Sequence, residues 1–250
     1  KIQINYKKDK LKVKGTGSIF FTDKSEQITY EIIKNNDQFS FNTKFNIKDN
    51  SFKIVPLNYE KKEDVNSIII INGNLKKGNL LKFKTISLEE NQNKILINNL
   101  KLDKNFKVLD IEKANINYKN KNKILNKINL RKDSSNFIVE GDNLDLSKLI
   151  DNIMDSDDEN SSIFENLNSR VDINIKKTYI DKINHLNNLS GYIILKGNKI
   201  DNLILDADFP NNQKISFTVI TNDINETTSS LITDYPKPLI KRYKFIKGFE

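Results

Sequence analysis

Residues that could carry out catalysis are few and scattered in this sequence. His185 is the only histidine, and there is no cysteine. A histidine acting as a general base needs a positioned partner as well as a suitable pKa, and no nucleophile stands near His185 in the sequence. We therefore interpret His185 as an ordinary loop or strand residue, and we expect the protein not to be an enzyme.

Two short motifs resemble ligand sites without completing them. Asp155–Asn160 is acidic like a calcium loop, but Asn160 stands where the loop of an EF-hand needs glycine. Gly15-Thr16-Gly17 lies between apparent strands, and a dinucleotide-binding fingerprint would be followed by a helix. The sequence therefore assigns no catalytic, cofactor-binding or metal-binding residue.

The charge is positive overall and unevenly distributed. The formal net charge is +8, with 28 basic and 15 acidic residues over 1–133 but 13 basic and 18 acidic residues over 134–250. Such asymmetry can mark a surface that meets anionic partners, although surface lysine also confers solubility alone. The only arginines are Arg131, Arg170 and Arg242, and specific nucleic-acid readout relies on arginine. We expect no nucleic-acid partner. Binding of a polyanion by residues 1–133 ranks last among three hypotheses for the function.

The dominant hydrophobic period is two. Residues 39–47 alternate apolar and polar side chains, which places Phe39, Phe41, Phe45 and Ile47 on one face of a strand. The same alternation occurs over Val171–Ile175. It is typical of antiparallel sheets with one solvated face and one apolar face.

Further strands are predicted between clusters of turn-forming residues. Asn72-Gly73 is a favourable hairpin dipeptide, and Gly191–Phe209 reads as a complete hairpin around Gly197-Asn198-Lys199. The predicted strands include Ile2–Tyr6, Leu11–Val13, Ile28–Ile33, Phe52–Tyr59, Ser67–Ile71, Leu80–Ile86, Ile95–Leu102, Phe106–Ile111, Ala114–Tyr118, Ile124–Leu130, Phe137–Glu140, Ser190–Lys196, Ile200–Asp208 and Lys214–Thr221.

One stretch has a helical period instead. Gly141–Asp145 reads as a loop in which Asp145 acts as N-cap, and Leu146–Met154 carries its apolar residues at helical spacing. A second helical turn is predicted over Ile163–Leu167. The expected fold is mainly β, an elongated and curved antiparallel sheet with one or two short helices. Residues 1–250 are expected to form one β-rich segment, with a seam near 133–143 between a basic meander (1–133) and a helix plus meander (134–250).

The C-terminal half resembles the AsmA-like superfamily, in its YhdP-type branch, which is related to the TamB-like envelope proteins. Gly141–Ile150 is similar to that family's loop-helix element, where a strand ends in glycine and leads into a Leu-Asp-Leu helix start. Val171–Ile175, Leu189–Phe209 and Ile215–Ile220 resemble the strands that follow. Lys237–Glu250 resembles the next short helix and strand start, and Thr233–Pro236 departs from the family pattern.

The resemblance implies a long curved β-groove with an apolar interior and no catalytic or cofactor residues. It further implies a periplasmic protein, anchored to the inner membrane through a segment outside this chain, that supports phospholipid transport and outer-membrane integrity. On this hypothesis Phe39, Phe41, Phe45 and Ile47 line the groove and contact phospholipid acyl chains. The alternatives are that these residues are core between two sheets, and that the protein is a structural or assembly module contacting other envelope proteins.

Overall fold

A computed structural model of the chain describes residues 1–76, 80–147, 168–197 and 199–239. Within these residues, the chain is mainly β, and sixteen strands form one large sheet. The sheet is curved, open at both edges and mostly antiparallel. The mainly β class expected from the period-two alternation is therefore confirmed.

The large sheet runs through the chain nearly in sequence order, as expected of a meander. Its strands are β1 (Ile2–Lys7), β2 (Lys10–Phe20), β3 (Ser25–Asn35), β4 (Gln38–Ile47), β7 (Ser67–Lys76), β8 (Leu80–Glu90), β9 (Asn93–Leu102), β10 (Val108–Asp110), β11 (Lys113–Lys119), β12 (Leu125–Asp133), β13 (Asn136–Asp145), β14 (Ser169–Tyr179), β15 (His185–Lys196), β16 (Lys199–Asp208), β17 (Lys214–Thr221) and β18 (Thr227–Thr233).

Two departures from a simple meander matter for the surface of the sheet. Strands β5 (Phe52–Ile54) and β6 (Tyr59–Lys61) leave the sheet and pair with each other as a separate hairpin between β4 and β7. Strands β13 and β14 pair in parallel, and a parallel pair requires a crossover connection. The helix predicted over Leu146–Met154 and the turn over Ile163–Leu167 fall in this connection and lie outside the described residues, apart from residues 146 and 147.

Several sequence predictions are corrected. Phe52–Tyr59 is not one strand, because a 3₁₀ turn over Val55–Leu57 separates β5 from β6, and proline fits the start of such a turn. Phe106 has a positive φ of 61°, so the strand predicted over Phe106–Ile111 shortens to β10. Strand β18 was not predicted, because its sequence TTSSLIT lacks apolar alternation.

Two glycine positions were also interpreted wrongly. Asn72-Gly73 is not a hairpin turn but lies inside β7, opposite Thr85 and Phe83, where the register shifts by a β-bulge. Gly141 does not end its strand, because β13 continues to Asp145. The N-cap role predicted for Asp145 has a matching contact, since the Ser147 amide donates to Asp145 Oδ1 at 2.9 Å. The Gly191–Phe209 hairpin is confirmed, because β15 and β16 pair antiparallel out to Lys196 and Lys199.

Candidate functional site

The register of the strands places one row of uncharged, mostly apolar residues across fifteen of the sixteen strands of the large sheet. Its members pair directly from strand to strand, and none is charged. At about 4.8 Å between strands, the row is about 65 Å long. The row consists of Ile2, Gly15, Tyr30, Thr43, Ile71, Ile86, Ile97, Ala114, Leu130, Val139, Ile173, Gly191, Leu205, Phe217 and Leu231.

Neighbouring rows extend this apolar surface on both sides, and we call the whole surface the apolar face. One parallel row joins Ile28, Phe45, Ile69, Leu88 and Ile95 across five strands. Because side chains alternate along each strand, the opposite surface, called here the polar face, carries mainly Asn, Ser, Thr and Lys in β1–β12.

One end of the strands on the apolar face is covered by the β5–β6 hairpin. Tyr59 of this hairpin is buried and packs in one cluster with Leu88, Ile95 and Tyr118 of the large sheet. The Tyr59 and Tyr118 rings meet edge to face with centroids 5.7 Å apart, and the Tyr118 hydroxyl donates to the Leu57 carbonyl. The hairpin therefore closes the apolar face at this end, called here the covered end.

A buried polar network fixes the covered end. Lys61 is 0% exposed. Its ammonium group donates hydrogen bonds to the carbonyl oxygens of Lys48 and Asn50 at 2.5 and 2.7 Å. Glu26 accepts the Lys48 amide at 2.9 Å and the Asn50 amide at 2.6 Å. These hydrogen bonds join Lys48 and Asn50, which follow β4, to Glu26 of β3 and to Lys61 of the hairpin. They therefore hold the hairpin over the apolar face.

The ionisation of this network follows from burial and hydrogen bonding. Burial lowers the pKa of Lys61, and the nearby carboxylates of Glu26 and Glu90 oppose that shift. Burial by itself raises the pKa of Glu26, but hydrogen bonds from the Lys48 and Asn50 backbone and the Asn50 side chain outweigh it, so the pKa is lowered. Burial, with Glu90 accepting the Tyr59 hydroxyl at 2.6 Å, raises the pKa of Tyr59.

The chain after β18 covers the same end in the C-terminal half. Leu239 is buried in a cluster with Ile175, Leu189 and Ile215, and Tyr235 packs against that cluster. The Tyr235 ring meets Phe209 edge to face at 5.4 Å. Leu144, near the end of β13, and Leu146, just after that strand, pack against it as well. The two covers lie at one end of the strands.

The opposite end of the N-terminal strands is open. Ile32, Phe39 and Leu75 lie on the apolar face and are 40%, 40% and 39% exposed. Next to them the Phe41 ring packs edge-on against Phe83, with centroids 6.0 Å apart. This open end leaves apolar surface accessible to a ligand.

The four residues predicted to line a groove lie on this face but in different surroundings. Phe39 is exposed at the open end, and Phe41 is half-buried beside Phe83. Phe45 is half-buried, and its ring centroid lies 6.2 Å from that of Phe21. Ile47 lies at the covered end and is only 4% exposed.

Most of the apolar row was missed by sequence reasoning. Ile71, Ile86 and Ile97 were assigned to strands, but nothing in the sequence fixed which residues stand opposite one another. The bulge at Gly73 shifts the register between β7 and β8, so the alignment of the row depends on an irregularity that was interpreted as a turn.

Other candidate groups are not brought together into a site. His185 begins β15 opposite Tyr179, and burial and the nearby Lys177 lower its pKa. Asp155–Asn160 lies outside the described residues. The described part of the chain contains no group of three or more His, Cys, Asp or Glu side chains placed to hold a metal ion. Nor does any helix in that part have the length and apolarity to cross a membrane.

Comparison of the chain with protein-family models, with curated proteins and with solved structures found no match in any of the three.

Proposed function

We propose that this chain is a non-catalytic segment of an inner-membrane-anchored periplasmic protein, and that its apolar face shields or conducts phospholipid between the inner and outer membranes. In this proposal the curved sheet forms a groove with the apolar face inside. The observation that carries the proposal is the uncharged row through all the consecutively paired strands, from Ile2 to Leu231.

The dimensions of the row suit acyl chains. Its length of about 65 Å is about twice the thickness of the hydrocarbon core of a bilayer, about 30 Å, so several acyl chains fit along it end to end. Each buried methylene contributes about 0.8 kcal/mol. The row carries no charge at any position, so an acyl chain moving along it would meet no charged side chain in the row.

The open end is the proposed point of contact. Phe39 and Leu75 are directly opposed on β4 and β7, and both are exposed. Phe39 also has the Lys34 ammonium 5.8 Å from its ring centroid. A lysine beside an exposed apolar pair matches a phospholipid, whose acyl chains meet a phosphate-bearing headgroup.

The proposal is tested by site-specific photo-crosslinking. A photoreactive residue replaces Phe39 or Phe41 on the apolar face, and a matched control replaces Ser40, the neighbour between them that points to the polar face. Each protein is purified from a bacterial envelope and irradiated, and adducts are identified by mass spectrometry. We expect adducts joined through a phospholipid acyl chain at Phe39 and Phe41 but not at Ser40. Acyl-chain adducts at all three positions, or protein adducts alone at Phe39 and Phe41, refute an acyl-chain groove.

One observation favours the second candidate, an assembly module that contacts envelope proteins through a sheet edge. Strand β18 pairs only with β17 among the described strands, and its seven residues carry no charge. Edge strands usually carry lysine, proline or a bulge that opposes strand addition. Crosslinking from Ser230 on β18 distinguishes the functions: a defined protein adduct there, without lipid at Phe39, supports the assembly module.

A further inference from the structure

The polar face of β1–β12 concentrates positive charge. Alternation places its basic residues on the side opposite the apolar row, and they outnumber the acidic ones there. The basic residues are Lys7, Lys10, Lys12, Lys14, Lys44, Lys76, Lys82, Lys94, Lys101, Lys113, Lys119, Lys127 and Arg131. The acidic residues are Glu31, Glu89, Asp110 and Asp133.

Like charges stand directly opposite one another on this face. Lys82 pairs with Lys101, and Lys113 pairs with Arg131. Asp110 compensates Lys101 at 2.6 Å, but within the described residues no carboxylate forms an ion pair with Lys113 or Arg131. Directly opposed like charges destabilise a sheet. The Lys113–Arg131 pair therefore opposes folding, and an anionic partner on this face would offset that cost.

The same face has a broad open depression at its N-terminal side. It has a volume of about 640 Å³, and its lining includes Lys14, Lys44, Thr29 and Asn42 as well as the apolar Ile70. Neither lysine forms an ion pair among the described residues. Glu31, the acidic residue in the lining, is held by Lys12 at 2.8 Å. The depression therefore offers two free ammonium groups with neutral hydrogen-bonding groups between them.

We propose that the polar face of β1–β12 docks on the headgroup surface of a bilayer that contains anionic phospholipid. Lys14 on β2 and Lys113 on β11 are six strands apart, or about 29 Å, so the charge is spread in two dimensions, as on a bilayer surface. The cross-strand neighbours of Lys14, Lys44, Lys82 and Lys113 include no aromatic residue, and nucleic acid is bound through stacking platforms and arginine. The docking concerns the face opposite the apolar row and holds even if that row is only core.

The test is co-sedimentation of the full chain with vesicles. One set is pure phosphatidylcholine, and the other contains about one third phosphatidylglycerol, whose negative surface attracts lysine. The test variant carries Lys14→Gln, Lys44→Gln and Lys113→Gln. The control carries Lys182→Gln, Lys199→Gln and Lys237→Gln, which remove the same charge from exposed sites in the C-terminal half. Circular dichroism establishes that both variants keep the wild-type strand content.

We expect salt-sensitive binding to the anionic vesicles only, reduced at least about tenfold in the test variant and less than about twofold in the control. Equal losses in the two variants would show that net charge alone acts, and equal binding to both vesicle types would show insertion of apolar residues instead. Tighter binding to a mixed-sequence single strand than to anionic vesicles would assign the face to a polynucleotide. Each of these three outcomes overturns membrane docking, and none of them bears on acyl-chain crosslinking at Phe39.

Discussion

Replacing Lys61 with methionine should detach the β5–β6 hairpin from the covered end. The substitution keeps most of the side-chain volume but removes an ammonium group that donates to two carbonyl oxygens, those of Lys48 and Asn50. It also removes a positive charge that interacts with the buried Glu26 carboxylate. The main effect is therefore that two carbonyl acceptors lose their charged donor.

The magnitude follows from the chemistry of the groups that the substitution leaves without a partner. A hydrogen bond to a charged group contributes about 1.5–3 kcal/mol, and the substitution removes two such bonds. The two carbonyl oxygens are rehydrated once the hairpin lifts, so we expect Lys61→Met to lower the free energy of unfolding by about 3 kcal/mol. The matched control is Lys62→Met, at the next residue, which is exposed and should change stability by less than about 0.5 kcal/mol.

Urea denaturation followed by circular dichroism measures the decrease in stability, and binding of an apolar dye to the folded protein reports lifting of the hairpin. We expect greater dye binding by Lys61→Met, because Leu88 and Ile95 lie beneath the hairpin cluster. If Lys61→Met and Lys62→Met have equal midpoints and equal dye binding, the buried ammonium does not hold the hairpin, and the assignment of the polar network as its anchor is wrong.

Two further predictions concern the sheet itself. Gly191→Ala should lower the free energy of unfolding by more than about 3 kcal/mol in thermal and urea unfolding, because Gly191 has a φ of 141° and an added Cβ would lie 1.9 Å from a carbonyl oxygen of β16. The control, Gly17→Ala, should be close to neutral, because an added Cβ there would have no atom within 4 Å. Equal effects of the two substitutions would contradict the packing argument. Lys127 and Lys176 lower the pKa of Asp142 to about 2, below its unfolded value of about 3.9, so its stabilisation is present above about pH 4 and is lost as the pH falls toward 2. Asp142→Asn should therefore flatten the acid limb of a melting-temperature curve between pH 5 and 2, and an unchanged limb would show that these ion pairs do not stabilise the fold.

The strands were predictable because their signal is local. Alternation over Phe39–Ile47 and Val171–Ile175 required only neighbouring residues, since side chains on successive positions face opposite sides of a strand. Strand β18 was not predicted from the sequence, because threonine and serine occupy both of its faces. Its position depends on pairing with β17, whose Phe217 opposes Leu231.

The candidate site was less predictable because it depends on register. Gly73 of β7 pairs with Phe41 of β4 on one side. On the other side, the register shift between β7 and β8 places Phe83 opposite Gly73. The extra residue of the bulge, Lys84, is on the neighbouring strand β8, so no local pattern at Asn72-Gly73 distinguishes this register shift from a hairpin turn. The buried network of Glu26 and Lys61 was equally hidden, because its members are 35 positions apart in sequence and charged residues are rarely buried.

The exposure of the open end limits how tightly it can hold a ligand. Ile32, Phe39 and Leu75 are 40%, 40% and 39% exposed, which together leaves roughly 200 Å² of apolar surface, or about 5 kcal/mol on complete burial. Association alone costs about 4–15 kcal/mol in lost freedom of motion, so these three side chains cannot retain an acyl chain by themselves. A chain must also contact inner members of the row, such as Ile71 and Ile86, which are half-buried. Under the proposed function, an uncharged row that spans many strands and binds weakly at its open end fits passage along the sheet better than storage at one site.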